Sequence, residues 1–428
     1  MKRTQALVLV FWIGVSLPVW LLAGETPSAR AVDYSREIKP ILSKRCYACH
    51  GGIKHNAGLR LDTAVLMRKG GESGPAVVPG QSVESLIVDA ITGDGGWRMP
   101  PQSEGSPLSA EEIGKLKAWI DQGAKAPSDE RPQPDPRDHW AFRAPTSPEV
   151  PTTVALGPRA GWVSNPIDAF LASEHIKRGL TPSPKADPAT LIRRVYVDLT
   201  GLVPNLEQVR AFVADSSDHT YEAIVEELLA SPGYGERWGR RWMDVWRYSD
   251  WDGYGEEVRE SQPHIWRWRD WIVESLNRDK PYDQMVVAML AADEASPGDP
   301  DSLRATGFLV RNWYKFNRNV WLDDAVEHTA KAFLGITLNC AKCHDHKYDP
   351  IAQTEYYKFR AFFEPHAVRT DSLPGQLDTK RVGLVRVFDG EPATPTYVFE
   401  RGDDKRPVKD KPLAPDAPKI LQLQAKLG

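Results

Sequence analysis

The chain has 428 residues, too many for one ordinary core, so two or more domains are expected. Its 54 Lys and Arg against 58 Asp and Glu leave a formal charge of −4, without the basic excess that tracks a phosphate backbone; nucleic-acid binding is excluded on that ground. Four cysteines give no disulfide framework of the kind that staples small secreted domains, so chemistry has to be read locally.

The chain opens with Lys2 and Arg3, then an apolar run from Ala6 through Ala23 and small residues after it. That is the layout of an export signal, with cleavage after Gly24 or after Ala31. An uncleaved membrane anchor is the alternative, since the run nears the length of a span, although Pro18 argues against a straight helix. Either way the body is expected outside the cytoplasm, periplasmic or secreted.

Residues 33–127 read as one domain. Ile38, Ile41 and Leu42 predict a short amphipathic helix running into Cys46-Tyr47-Ala48-Cys49-His50. A turn-rich stretch with Gly70-Gly71 and Gly74-Pro75 leads to Arg98-Met99-Pro100-Pro101. Ser109-Ala110-Glu111-Glu112 is a capping box, and Ile113, Leu116, Trp119 and Ile120 recur at helical spacing until Gly123. Residues 128–164 read as a linker, because Pro127 to Pro158 holds eight prolines among charges with no apolar period.

A larger helical domain is expected over 165–370. Asn165-Pro166 and Asp187-Pro188 each combine an N-cap with Pro at the first helical position, and Gly179 and Gly201 end those helices. Trp238, Trp242 and Trp246 lie four apart on one helix face; with Trp266, Trp268 and Trp271 they are better read as packed core than as an electron path or stacking surface. Cys340-Ala341-Lys342-Cys343-His344 repeats the earlier spacing. Residues 371–428 read as an irregular tail with Val382 to Phe388 and Thr396 to Glu400 as short strands. The fold class is therefore mainly α, with short β segments near the C-terminus.

Two C-x-x-C-H motifs absorb every cysteine. Thioredoxin-like pairs and zinc half-sites also use C-x-x-C, but neither needs the adjacent histidine. In C-x-x-C-H the two thiols add to the vinyl groups of one haem and the histidine becomes the proximal iron ligand. Two covalently attached c-type haems follow: one on Cys46 and Cys49 with His50, one on Cys340 and Cys343 with His344. The helices around the first motif and its Met-bearing loop make a class I cytochrome c shape. Met99, in its Pro-flanked loop 49 residues after His50, is the expected sixth ligand there, with Met67, in a helical-looking segment, as fallback and His55 as a solvated loop residue. No methionine follows the second motif. His328, on the helix predicted from Asp323 to Leu334, is the chosen distal candidate. His346 belongs to the proximal side, Met243, His264 and His366 are weaker, and five-coordinate iron stays open. Asp345, Asp349, Asp323 and Asp324 lack calcium-loop spacing and read as caps and propionate neighbours.

These motifs carry a resemblance. Arg45 to Gly51, Gly58-Leu59-Arg60-Leu61-Asp62, Val78-Pro79-Gly80, Arg98 to Pro101 and Trp119 to Ala124 resemble the planctomycete-type cytochrome c domain. Leu191 to Leu202, Ser231 to Trp238 and Cys340 to Ile351 are similar to the cytochrome-like domain of unknown function that accompanies it. Asp250 to Trp271 departs from the shorter polar turn usual after Arg247-Tyr248. Thr396 to Gly402 is similar to the lead-in to a further C-terminal domain, which is expected to be missing. The resemblance implies an exported protein and no settled reaction.

The expected function is electron transfer through two haems to redox partner proteins. Rivals are a haem oxidoreductase, peroxidase-like or acting on an organic substrate at an open second iron, and a structural or carbohydrate-binding module with accessory haems.

Overall fold

The computed structural model describes residues 30–94, 96–102, 104–152, 161–249, 264–314 and 316–422. The apolar N-terminal run and the cleavage position after Gly24 lie outside them, as do residues 250–263 of the Asp250 to Trp271 stretch. Two compact units divide at Pro134/Asp135, within the stretch read as a linker. The protein is mainly α, with two small two-stranded sheets among the described residues. Among the described residues, no helix is long and apolar enough to cross a membrane.

In the first unit, Asp33 caps a turn of π-helix, Tyr34–Ile38, that continues into the helix Lys39–Arg45. The haem-type motif follows as one short helical turn, Tyr47–His50. Ser109 and Glu112 form the expected capping box for the helix Ala110–Asp121, which buries Leu116, Trp119 and Ile120. Those side chains meet Ile38 and Leu42, and the Tyr34 and Trp119 rings stack at 5.3 Å. The loop between carries the helical segment expected around Met67, Ala64–Lys69, and a second helix that its turn residues concealed, Leu86–Thr92. The second is short and starts beside a turn, so it sustains no helical period long enough to read.

The second unit begins with four helices, Pro166–Lys177, Pro188–Thr200, Leu206–Ala214 and Asp218–Leu229. Asn165 and Asp187 accept the capping hydrogen bonds expected of them, and Gly201 ends its helix with a left-handed residue. The main core lies after these helices. It gathers the helices Trp266–Asn277, Tyr282–Ala295, Arg318–Thr329 and Gln353–Arg360. Trp268, Trp271, Ile272 and Ser275 are buried on one stripe of the first of these, the spacing of a core-facing helix. Gly235 and Gly239 let the helix Pro232–Val245 cross it closely; a Cβ on Gly235 would stand 2.5 Å from the Val273 carbonyl oxygen. The indole N–H groups of Trp246, Trp268 and Trp271 have no hydrogen-bond partner. Each buried indole removes roughly 200 Å² from water, about 5 kcal/mol in gross terms, against about 1–3 kcal/mol for the unmet donor, so burial prevails.

The tail is not loose. β1 (His366–Ser372) pairs antiparallel with β2 (Gly383–Asp389), and Leu384, Val385 and Val387 enter the main core. β3 (Thr396–Phe399) pairs with β4 (Pro407–Leu413). β2 and β3 fall on the two stretches expected to be strands, Val382 to Phe388 and Thr396 to Glu400. β1 and β4 were not expected, because His-Ala-Val-Arg-Thr-Asp-Ser and Pro-Val-Lys-Asp-Lys-Pro-Leu are polar strands held by their partners.

Candidate functional site

The first motif is fixed from three directions. Arg45, just before Cys46, makes a bidentate pair with Glu112 at 3.1 and 3.2 Å, so the helix Ala110–Asp121 holds the entry to the motif. After the motif, Gly51 and Gly52 lie under the segment 130–134. A Cβ on Gly51 would stand 2.5 Å from the Tyr47 carbonyl oxygen, and one on Gly52 would stand 2.9 Å from the Gln133 Cβ. Gly52 N–H donates to Gln133 Oε1 (3.0 Å), and Gln133 N–H donates to Asp62 Oδ2 (2.7 Å). Asp62, fully buried, also takes both donors of Arg60.

Glu130 is the second anchor. Its carboxylate, 5 % exposed, accepts from Tyr34 Oη (2.7 Å), Lys39 Nζ (2.7 Å) and the Ala64 amide (2.9 Å). Residues 130–134 thus belong to the first unit. Sequence reading missed them because proline and charge dominate the stretch, although the Gly51-Gly52 pair was a signal of close backbone approach.

Cys46 and Cys49 are free thiols at the start of the motif turn. Burial pushes the Cys46 thiol up to about 12. His50 is half-buried, burial lowers its pKa, and its Nδ1 is buried without a hydrogen-bond partner. Two free thiols one turn apart beside a neutral imidazole with an orphaned ring nitrogen form a donor set that fits a covalently held haem. Met99 is half-buried and its amide donates to the Ala90 carbonyl at 2.7 Å, tying the Met-Pro-Pro loop to the helix Leu86–Thr92. Met67 is wholly buried in the hydrophobic core, and His55 is exposed.

The second motif sits differently. Cys340, Cys343 and His344 are all exposed, whereas Ala341 between them is fully buried and anchors the turn. His344 Nδ1 lies 2.7 Å from the Asp345 carbonyl oxygen. With that nitrogen donating, Nε2 carries the free lone pair, the tautomer that metal-bound histidines use. The Lys342 carbonyl accepts from Tyr357 Oη (3.0 Å) and Gln353 Nε2 (2.9 Å), and the same amide donates to the Phe399 carbonyl (3.1 Å). Gly402, at φ +77°, comes so near that a Cβ would stand 2.6 Å from Cys343 Sγ. The geometry again fits a thioether-held ring: paired thiols, an oriented imidazole and a glycine where the sulfur needs room. Nothing in the sequence placed Gln353, Phe399 or Gly402 beside this motif.

The other candidate residues have partners of their own or none. Asp323, read as a cap or propionate neighbour, is a hub that accepts from Lys342 Nζ (2.7 Å), Tyr356 Oη (2.7 Å) and Arg360 Nη1 (3.3 Å). Asp345 accepts from the Gln353 amide at 2.8 Å. His346 is buried, its Nδ1 accepting from the Asp349 amide at 2.8 Å. His264 Nε2 is occupied by the Thr379 carbonyl at 2.8 Å. His328 lies on the helix Arg318–Thr329, with Nδ1 buried and unpartnered; burial, aided by the Arg311 charge, pushes its pKa down to about 4.

Comparison with known families agrees with this division. Residues 46–103, which hold Cys46 to His50 and Met99, match the planctomycete cytochrome C family. Residues 166–367, which hold Cys340 to His344 and His328, match a family described as a protein of unknown function. No curated protein and no solved structure matches the chain. The first unit is thus similar to a c-type cytochrome domain, a kind of domain that implies covalently bound haem.

Proposed function

We propose that a planctomycete cytochrome C domain followed by this second domain acts as an exported dihaem c-type cytochrome that transfers electrons between redox partner proteins. Cys46, Cys49 and His50 would hold one haem and Cys340, Cys343 and His344 the other, with Met99 and His328 as the distal ligands. When bound, haem iron supplies a one-electron ferric/ferrous couple. What this chain's residues do is orient and shield. Asp345 fixes the His344 tautomer, Arg45–Glu112 and Asp323–Lys342 hold the motif turns, and the buried cores keep water from one side of each site. Unlike distal ligands, a thioether at one site and an imidazole at the other, set unlike potentials. The exported location, the partners and an N-terminal membrane anchor belong to the same proposal, motivated by the apolar run after Lys2 and Arg3.

The observation that carries the second haem is the His344 Nδ1 contact with the Asp345 carbonyl. A thioredoxin-like pair would not require it, and the haem mass separates a haem from a zinc ion held by the same histidine. The test is expression with c-type haem maturation, followed by mass spectrometry and electron paramagnetic resonance. Two covalent haems, both low-spin, are expected. A gain of one haem mass would remove the second site, and a high-spin haem that binds peroxide would replace the carrier with a haem oxidoreductase.

A further inference from the structure

Away from both motifs, the second unit brings three metal-ligating side chains to one point: Asp293, His366 and Asp389. They arrive from separate elements. His366 opens β1 and Asp389 closes β2, and the antiparallel register sets them directly opposite each other. Asp293 comes from the end of the helix Tyr282–Ala295, just past a departure from helical geometry at Ala291. One ligand atom from each of the three lies within 4.8 Å of the others. Donor atoms bound to one ion at about 2.1 Å stand roughly 3–3.5 Å apart, a small side-chain rotation away.

Two further observations point to a ligand. His366 is 4 % exposed, and its ring faces Asp389, with Nε2 3.9 Å from Oδ1. One carboxylate oxygen of Asp293 is buried with no hydrogen-bond partner. Leaving such an oxygen unmet costs about 1–3 kcal/mol, and native structures rarely do so. The neighbouring cations are committed elsewhere. Arg318 binds the His366 and Glu364 carbonyls, and Arg386 binds Asp371 and the Val387 carbonyl.

We propose that Asp293, His366 and Asp389 bind one divalent first-row transition cation, with Zn²⁺ the best match. One imidazole and two carboxylates suit a borderline ion better than Ca²⁺ or Mg²⁺, which take all-oxygen shells, and the absence of sulfur disfavours Cu(I). Three protein ligands leave a position for water, and the ion would pin the β1–β2 hairpin to the helix Tyr282–Ala295.

The test uses the haem-loaded full chain, stripped with a chelator and titrated with Zn²⁺ alone against a chromophoric competitor. One saturable Zn²⁺ per chain is expected, weakened at least tenfold in Asp389→Asn and in Asp293→Asn. Asp389 is exposed, so its variant folds whatever happens at the buried positions. Absence of saturable binding, or Zn²⁺ affinity unchanged in both variants, overturns the site.

Discussion

The two C-x-x-C-H turns have the same sequence spacing and opposite surroundings. The first is half-buried and held by residues from its own small unit: Arg45 and Glu112 before it, Gly52, Gln133 and Asp62 after it. The second presents Cys340, Cys343 and His344 on the surface and is held from behind by Asp323, Gln353, Tyr357 and Gly402. One motif is wrapped by its neighbours and the other is mounted on a large core. The same five residues can thus be supported by enclosure or by a rigid base, and substitutions that strike one mode should leave the other intact.

The largest effect is expected at the base of the second motif. Asp323→Ala removes the common acceptor of Lys342, Tyr356 and Arg360. Arg360 is 1 % exposed and keeps only Glu364 as a carboxylate partner, so a loss of about 3–5 kcal/mol follows from breaking a buried ion pair on one side. Hydrogen exchange should accelerate in peptides covering 338–360 and stay unchanged in 34–70. Equal protection of 338–360 in the variant would show that the second motif does not lean on Asp323.

Glu130→Ala is the counterpart in the first unit. Tyr34 Oη and the Ala64 amide lose their acceptor and Lys39 its partner, roughly 2–4 kcal/mol in all. Faster exchange is expected in 34–70 with 338–360 unchanged. Protection lost in both regions would contradict independent support.

The contrast also explains what sequence could and could not reveal. Cysteine spacing, the capping box at Ser109 and the two Asx-Pro helix starts are local patterns, and each appears where its local chemistry predicts. The supports of the motifs are long-range. Glu130 lies in a proline-rich stretch whose composition reads as linker, and its role exists only once Tyr34, Lys39 and Ala64 surround it. Likewise β1 and β4 are too polar to declare themselves, and His366 reads as a stray histidine until β2 brings Asp389 opposite. Period and composition report an element's own burial; they carry nothing about a partner dozens of residues away.

The smallest and most discriminating change is Gly402→Ala. Gly402 combines a left-handed backbone, φ +77°, with a close approach to Cys343 Sγ. Alanine at such a φ costs about 1 kcal/mol from backbone strain alone. Gly375 isolates that strain, because it has φ +76° and nothing within 4 Å of where a Cβ would stand. Gly375→Ala should therefore cost about 1 kcal/mol and leave both haem motifs unaffected. In Gly402→Ala the added methyl must also displace a sulfur that a thioether bond would hold in place, so haem retained at the second motif should fall while the first stays fully loaded. Mass spectrometry of matured protein measures both sites in one sample. If Gly402→Ala and Gly375→Ala prove equivalent, the sulfur is free to move aside, and the rear support of the second motif does not extend to Cys343.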